Sequence, residues 1–203
     1  MPASQALEQL LTPVTERDHQ DGPADARWTI VVYGDYECPS TRRVDRAVRH
    51  LQSCCTDGLR YVYRHFPLRE LHPHAQHAAE AAEAAAAQGK FWAMHETLFG
   101  HQLALGDVQL VAHAVEVGLD RQRFLDEMRR HLYRDRVHRD VEAARMNGAR
   151  GTPTIFVNGW LYHGERDAPS LESALSARPR ASGEGEHELP AFLPAVEERR
   201  RTF

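Results

Sequence analysis

The stretch Tyr33-Gly34-Asp35-Tyr36-Glu37-Cys38-Pro39-Ser40-Thr41 sets a single cysteine at the join between two unlike segments. Upstream, Trp28–Tyr33 is a short β-branched and aromatic run bounded by Gly34, the pattern of a buried strand. Downstream, Pro39 suits the first turn of a helix, where a missing N–H costs nothing. Val44, Ala47, Val48 and Leu51 then recur at i, i+3, i+4 and i+7, one apolar face, with Arg42, Arg43, Arg46 and Arg49 largely off it. Asp57-Gly58 closes this helix, and Leu59–Phe66 reads as a second strand stopped by Pro67. Strand, helix, strand predicts a right-handed βαβ crossover.

Outward from this unit the chain turns helical. His74–Gln88 is Ala-rich and stops at Gly89, and Phe91–Phe99 carries apolar residues in helical order. Asp107 is the expected N-cap of a helix over Val108–Val117, with Gly118 as its C-cap. Arg121–Asn147 holds one or two more helices, and the charges of Arg121–Asp140 read as a solvated face. Strand character returns at Thr154–Val157. Asn158-Gly159 then marks a type I′ hairpin, because both central positions need positive φ. Trp160–His163 is the return strand and Pro169–Ala177 a last helix. The expected organisation is a lead segment over 1–26 with a short helix in its first ten residues, a core over 27–69 and 150–177, a helical insertion over 70–149, and a mobile tail over 178–203. The fold class is therefore α/β: a central sheet flanked by helices, with an inserted helical subdomain.

The chemistry concentrates at two places. A helix N-terminus presents free N–H groups and the positive end of the helix dipole, which favour negative charge on Cys38, the condition for a nucleophilic sulfur. The reading requires that sulfur to lie bare at the helix tip. Thr41, three positions on, would face it with a hydroxyl that can donate a hydrogen bond but cannot attack a disulfide. The second place is Gly151-Thr152-Pro153-Thr154. A proline opening a strand lacks a ladder donor, which makes sense if the Thr152–Pro153 bond is cis and faces the cysteine, leaving backbone free to pair with an extended substrate.

Val32–Val44, Arg64-His65-Phe66-Pro67-Leu68, His72-Pro73-His74 with its Ala-rich helix, and Gly151–Gly159 together resemble the DsbA-like branch of the thioredoxin superfamily, from about Asp18 to Ala177. The resemblance implies a thioredoxin fold with a helical insertion and a Cys-Pro-x-Cys motif beside a cis-proline loop. On it, Cys38 matches the nucleophile, Pro39 and Ser40 the spacer, and Thr152 and Pro153 the substrate-binding loop. Thr41 stands where the resolving cysteine belongs, which removes dithiol chemistry through this motif. What it leaves is a monothiol thiol–disulfide oxidoreductase, attacking disulfides or glutathionylated thiols and released by glutathione or another small thiol. A degenerate binding or regulatory module and a glutathione transferase or isomerase are the alternatives.

Other residues narrow the field. Cys54 and Cys55 sit 16 and 17 residues beyond Cys38, ~24 Å or more along a continuous helix, against the ~7 Å limit between Cα atoms of a disulfide. Cys55 falls on the apolar face and reads as a core cysteine. His72, His74 and His77, with His65 nearby, read as polar surface groups, and no metal site is expected. His131 and His138 line a helical face without a role, Asp35 and Glu37 read as a solvated turn, and Trp92 and Trp160 as core. No acid is evident for a buried position beneath the active site. A net charge of −4, with Lys90 the single lysine among 25 basic residues, gives no nucleic-acid signature. No run reaches the ~20 apolar residues of a membrane helix, and Met1–Thr12 lacks signal-peptide features. Three cysteines with no scaffold spacing fit a reducing compartment, the cytoplasm. No bound cofactor is expected. Expected partners are glutathione, as co-substrate, or a thiol- or disulfide-bearing protein.

Overall fold

The computed structural model describes residues 9–54 and 58–177. Five strands form one sheet: β1 (His19–Asp21), β2 (Trp28–Gly34), β3 (Leu59–His65), β4 (Thr154–Val157) and β5 (Trp160–Leu161), in the order β1-β3-β2-β4-β5. The β2/β3 pair is parallel and the other three pairs are antiparallel. Helix α1 (Pro39–Cys54) makes the crossover between β2 and β3. The insertion supplies α2 (Ala75–Ala86), α3 (Phe91–Gly100), α4 (Asp107–Glu116), α5 (Arg121–Arg129) and α6 (Arg134–Met146), and α7 (Ala168–Ala177) follows the hairpin.

The unbroken apolar run of β2 has a simple cause: both its faces are covered. Ile30 and Val32 join an apolar cluster with Val44, Val48 and Leu51 of α1, Tyr61 and Tyr63 of β3, and residues of α2 to α5. Val31 and Tyr33 point to the opposite face, against Val62, Phe156 and Ala144 of α6. Alternation along the strand thus feeds two cores rather than a core and solvent. Helix α2 is the centre of the insertion. Its alanines are good helix formers and small enough for neighbours to approach on several sides, so Ala78, Ala81, Ala82 and Ala85 are all buried.

Several expectations shift. The lead segment is part of the sheet: His19–Asp21 pairs with Tyr61–Tyr63 as an edge strand, and Gln9 bridges to Trp160. The short helix expected in the first ten residues, the tail over 178–203 and Cys55 lie outside the described residues. Asp107 is the first residue of α4, after Gly106 in the cap position, and the return strand β5 spans only two residues. The stretch Arg121–Asn147 divides into α5 and α6 around His131, whose φ is +48°. Asp140, taken as part of a solvated face, is buried and accepts the His65 N–H at 3.0 Å, tying α6 to the end of β3. Trp92 and Trp160 are only partly buried, Trp92 giving its indole N–H to the Gln20 carbonyl at 3.0 Å. At the hairpin, Asn158 and Gly159 have φ of +50° and +83°, as a type I′ turn demands.

Candidate active site

Strand β2 ends at Gly34, and the chain turns through Asp35–Cys38 into α1. Gly34 is required by close approach: a β-carbon there would lie 2.6 Å from Thr41 Cγ2 and 2.6 Å from the Tyr63 ring. The turn is closed by the Cys38 N–H donating to the Asp35 carbonyl at 3.2 Å, while the Cys38 carbonyl accepts the Arg42 N–H as the first bond of the helix. Cys38 therefore stands immediately before the first helical residue, at the N-terminus of α1.

Opposite it is the loop before β4. The Thr152–Pro153 peptide bond is cis, and Cys38 Sγ donates to the Thr152 carbonyl at 3.4 Å. Thr152 Oγ1 is buried with no hydrogen-bond partner. The sulfur is not bare: Cys38 is 7 % exposed. It belongs to neither apolar cluster, and the contact it makes across the turn is to the Thr152 carbonyl. Pro39 is exposed and Ser40 half-buried on the outer side of the turn. Thr41 is fully buried, and its hydroxyl accepts the Asp35 N–H at 3.4 Å instead of bonding the sulfur. The physical reason is the tight fit at Gly34, which receives the Thr41 methyl.

The turn is held by residues that local sequence patterns do not reveal. Asp35, expected in a solvated turn, is 2 % exposed. One carboxylate oxygen accepts the Glu37 N–H at 2.8 Å; the other accepts the Leu68 N–H and faces His72 Nδ1, both at 2.8 Å. Glu37 accepts the His74 N–H at 2.8 Å, joining the turn to the start of α2. Gln102, 64 residues beyond Cys38, gives its amide to the carbonyls of Tyr36 at 2.7 Å and Cys38 at 3.0 Å. Tyr36 lies in a buried chain: its hydroxyl is 2.9 Å from His95 Nδ1, and His95 Nε2 is 2.9 Å from Asp45. Burial lowers the His95 pKa despite the charge of Asp45, and burial, with the charges of Glu83 and Asp45, pushes Tyr36 well up. Both are therefore neutral, so Tyr36 donates to Nδ1 and Nε2 donates to Asp45. Asp35 and Asp45 are the buried acids near the site that had no evident match. An acid three residues before a cysteine was the one visible signal for Asp35; Gln102 and His95 carried none.

The histidines of the middle stretch do not converge. His72 faces Asp35, His77 faces Asp107 at 2.8 Å, and His65, buried rather than on the surface, is 3.0 Å from Glu83. These three imidazoles face three different carboxylates, and His74 contributes its backbone N–H to Glu37. Cys54 is exposed at the far end of α1, so this 16-residue helix separates it from Cys38. Among the described residues no helix is long and apolar enough to cross a membrane.

Comparison with known proteins agrees with this geometry. The thioredoxin family model matches residues 14–177. Among solved structures, a thioredoxin-like oxidoreductase from Silicibacter pomeroyi DSS-3 has a TM-score of 0.71 at 29% identity, covering 80% of this chain and 92% of its own. BdbD from Bacillus subtilis, in its oxidised form, has a TM-score of 0.72 at 20% identity, covering 84% and 97%. The catalytic domain of Proteus mirabilis ScsC has a TM-score of 0.69 at 18% identity, covering 83% and 91%. Curated relatives carry another name. A protein named Na(+)/H(+) antiporter NhaA 3 from Salinispora tropica is 41% identical over 187 residues, 89% of this chain and 28% of that protein. One named Na(+)/H(+) antiporter NhaA 1 from Mycolicibacterium gilvum is 45% identical over 171 residues, 83% and 28%. The chain thus spans little more than a quarter of the length of these relatives. A cysteine leading a helix, a cis-proline loop against it and a family model matching most of the sequence place this chain in the thioredoxin family.

Proposed function

We propose that the chain is a monothiol thiol–disulfide oxidoreductase with Cys38 as its nucleophile. The observation that carries this reading is the 3.4 Å contact between Cys38 Sγ, at the N-terminus of α1, and the carbonyl preceding Pro153, with Thr41 in place of a second cysteine. Cys38 stands at the positive end of the α1 dipole, next to the free N–H groups of the first turn. The loop that carries the cis Thr152–Pro153 bond lies against the sulfur, where an incoming chain would dock. The Cys38 thiol, which donates to the Thr152 carbonyl at rest, gives its proton to solvent, and the resulting thiolate attacks the glutathione sulfur of a glutathionylated protein thiol. A bond forms between Cys38 and the glutathione sulfur, the original S–S bond breaks, and the protein leaves as a thiolate. A glutathione thiolate then attacks the mixed disulfide, giving oxidised glutathione and restoring Cys38. Thr41 has no sulfur with which to resolve that intermediate internally, so the second thiol comes from outside. Pro39 and Ser40 shape the outer side of the turn and Thr41 its inner side. The reaction needs no bound cofactor, and it suits a reducing compartment, the cytoplasm, where glutathione is supplied reduced.

The test is glutathione-dependent reduction of a glutathionylated peptide, followed by coupled oxidation of NADPH through glutathione reductase. The wild-type rate should rise with glutathione, and Cys38→Ser should fall to the uncatalysed rate. Equal rates in the two proteins would remove the enzymatic reading.

A second reading rests on the curated relatives: a closely similar unit occupies about 28% of proteins named Na(+)/H(+) antiporters. On this reading the domain is a binding or regulatory module for a membrane antiporter, and Cys38 is a remnant or a sensor. Capture of such an antiporter from detergent extracts by wild type and Cys38→Ala alike, with no peptide reduction by either, would favour it.

A further inference from the structure

Two trios of metal-ligating side chains stand apart from Cys38, and their distances separate them. In the first, His19 Nε2 and His65 Nε2 lie 2.7 and 3.0 Å from the same oxygen of Glu83, and Arg136 Nε is 3.7 Å from that oxygen. These are donors sharing one acceptor at hydrogen-bond range, and a cation there would face a guanidinium.

The second trio is His101, His113 and Glu116, whose ligand atoms lie within 4.8 Å of one another. His101 follows α3, while His113 and Glu116 are one turn apart on α4 and so share a face. Their environments fix the free lone pairs. His101 Nδ1 is 3.0 Å from the Thr97 carbonyl, and His113 Nε2 is 2.9 Å from the Ala104 carbonyl. A carbonyl only accepts, so each of those nitrogens carries the proton, and the lone pairs are His101 Nε2 and His113 Nδ1. This is the arrangement of metal-bound histidines, whose other ring N–H is held by an outer acceptor. His113 Nδ1 is 3.7 Å from Glu116 Oε2. That is too long for a hydrogen bond, and near the ~3.3 Å between two ligands of a tetrahedral ion with bonds of about 2.0–2.1 Å. The two rings stack at 4.9 Å and 29°, which presents them side by side. Glu116 ends α4, where the helix dipole is negative and favours a cation.

We propose that His101, His113 and Glu116 bind a divalent transition ion of the zinc class, with water as fourth ligand. Two imidazoles and one carboxylate suit a borderline ion better than calcium or magnesium, which take oxygen donors. The site adjoins Gln102, which holds the carbonyls of Tyr36 and Cys38.

Zinc chloride titrated into the full chain in competition with a chromophoric chelator tests this. One tight equivalent is expected. His101→Ala and Glu116→Ala, both at exposed positions where folding is unaffected, should each weaken it about tenfold or more; His113 is buried and is left intact. His19→Ala and Cys38→Ser should leave it unchanged, which separates this site from the first trio and from the active-site thiol. Absence of a tight equivalent overturns the proposal. So does an equivalent insensitive to His101→Ala and Glu116→Ala, or one lost with His19 or Cys38.

Discussion

Gly34 and Thr41 form a steric pair that sets the turn before Cys38. A methyl on Gly34 would lie 2.6 Å from both the Thr41 methyl and the Tyr63 ring, inside any real contact. Gly34→Ala should cost about 1–3 kcal/mol through overpacking, read as a lowered denaturant midpoint with unchanged slope. Thr41 tests the chemistry. It is buried and its one hydrogen bond is long, 3.4 Å to the Asp35 N–H, so a sulfhydryl of similar size fits the same place. Thr41→Cys restores a Cys-x-x-Cys motif and should allow the introduced thiol to form a disulfide with Cys38 under mild oxidation. The expected outcome is loss of two titratable thiols per chain under oxidant and, with dithiothreitol as electron donor, reduction of a protein disulfide without glutathione. Retention of both thiols under oxidant would mean that the turn does not present position 41 to the sulfur.

At the scale of the elements, the lead segment is joined to the sheet by buried charge. Arg64 on β3 is 3 % exposed, with Nε 2.6 Å from Asp18 Oδ1, and it also donates to Tyr33 Oη and the Thr12 and Pro13 carbonyls. Arg64→Met removes the guanidinium paired with Asp18 and should cost about 3–5 kcal/mol. Burial opposes ionisation of Asp18, but Arg64 and the Thr15 N–H outweigh it and hold the carboxyl below the usual range. Glu83 is likewise buried, and hydrogen bonds from His19 and His65 hold it far lower. A carboxyl whose pKa is depressed by folding stabilises the fold fully above its unfolded pKa, and that contribution is lost as pH falls towards the folded value. Stability should therefore decline below about pH 4.5, and Glu83→Gln should flatten the decline. His95 adds to the slope from about pH 6.5 downward, because burial favours its neutral form in the fold while the unfolded chain takes up the proton.

These elements also show what could be read in advance. Strand β2, α1, β3 and the Asn158-Gly159 turn were legible because periodicity and positive-φ residues are local signals. Strand β1 was not: His19-Gln20-Asp21 has no strand propensity, and the residues are extended because β3 offers an edge. The placement of Cys38 at a helix start and the cis Thr152–Pro153 bond were legible from the residues themselves, and the resemblance added the roles. The burial of Cys38, the inward turn of Asp35 and the role of Gln102 were not, since each depends on contacts between residues distant in sequence or on packing at the turn.

Across the whole molecule, the inserted helices and the strand core are not independent. One apolar cluster runs from Val44 and Leu51 of α1 through Tyr61 and Tyr63 to Leu98, Leu110 and Phe124 of the insertion. The turn before Cys38 is gripped from the insertion by Gln102 and His95. Unfolding in urea should therefore be a single transition, with far-ultraviolet dichroism and tryptophan fluorescence coinciding. Two separated transitions would mean that the insertion folds on its own.

All of the proposed chemistry depends on Cys38 becoming accessible to a disulfide from beneath the Thr152 carbonyl. The most direct measurement is brief incubation of the reduced protein with oxidised glutathione at neutral pH, then acid quench and peptide mapping by mass. A glutathione adduct that forms first on Cys38, persists in Cys54→Ser and is removed by reduced glutathione is the predicted result. Modification confined to Cys54 or Cys55, with Cys38 unmodified in the folded protein, would contradict the account.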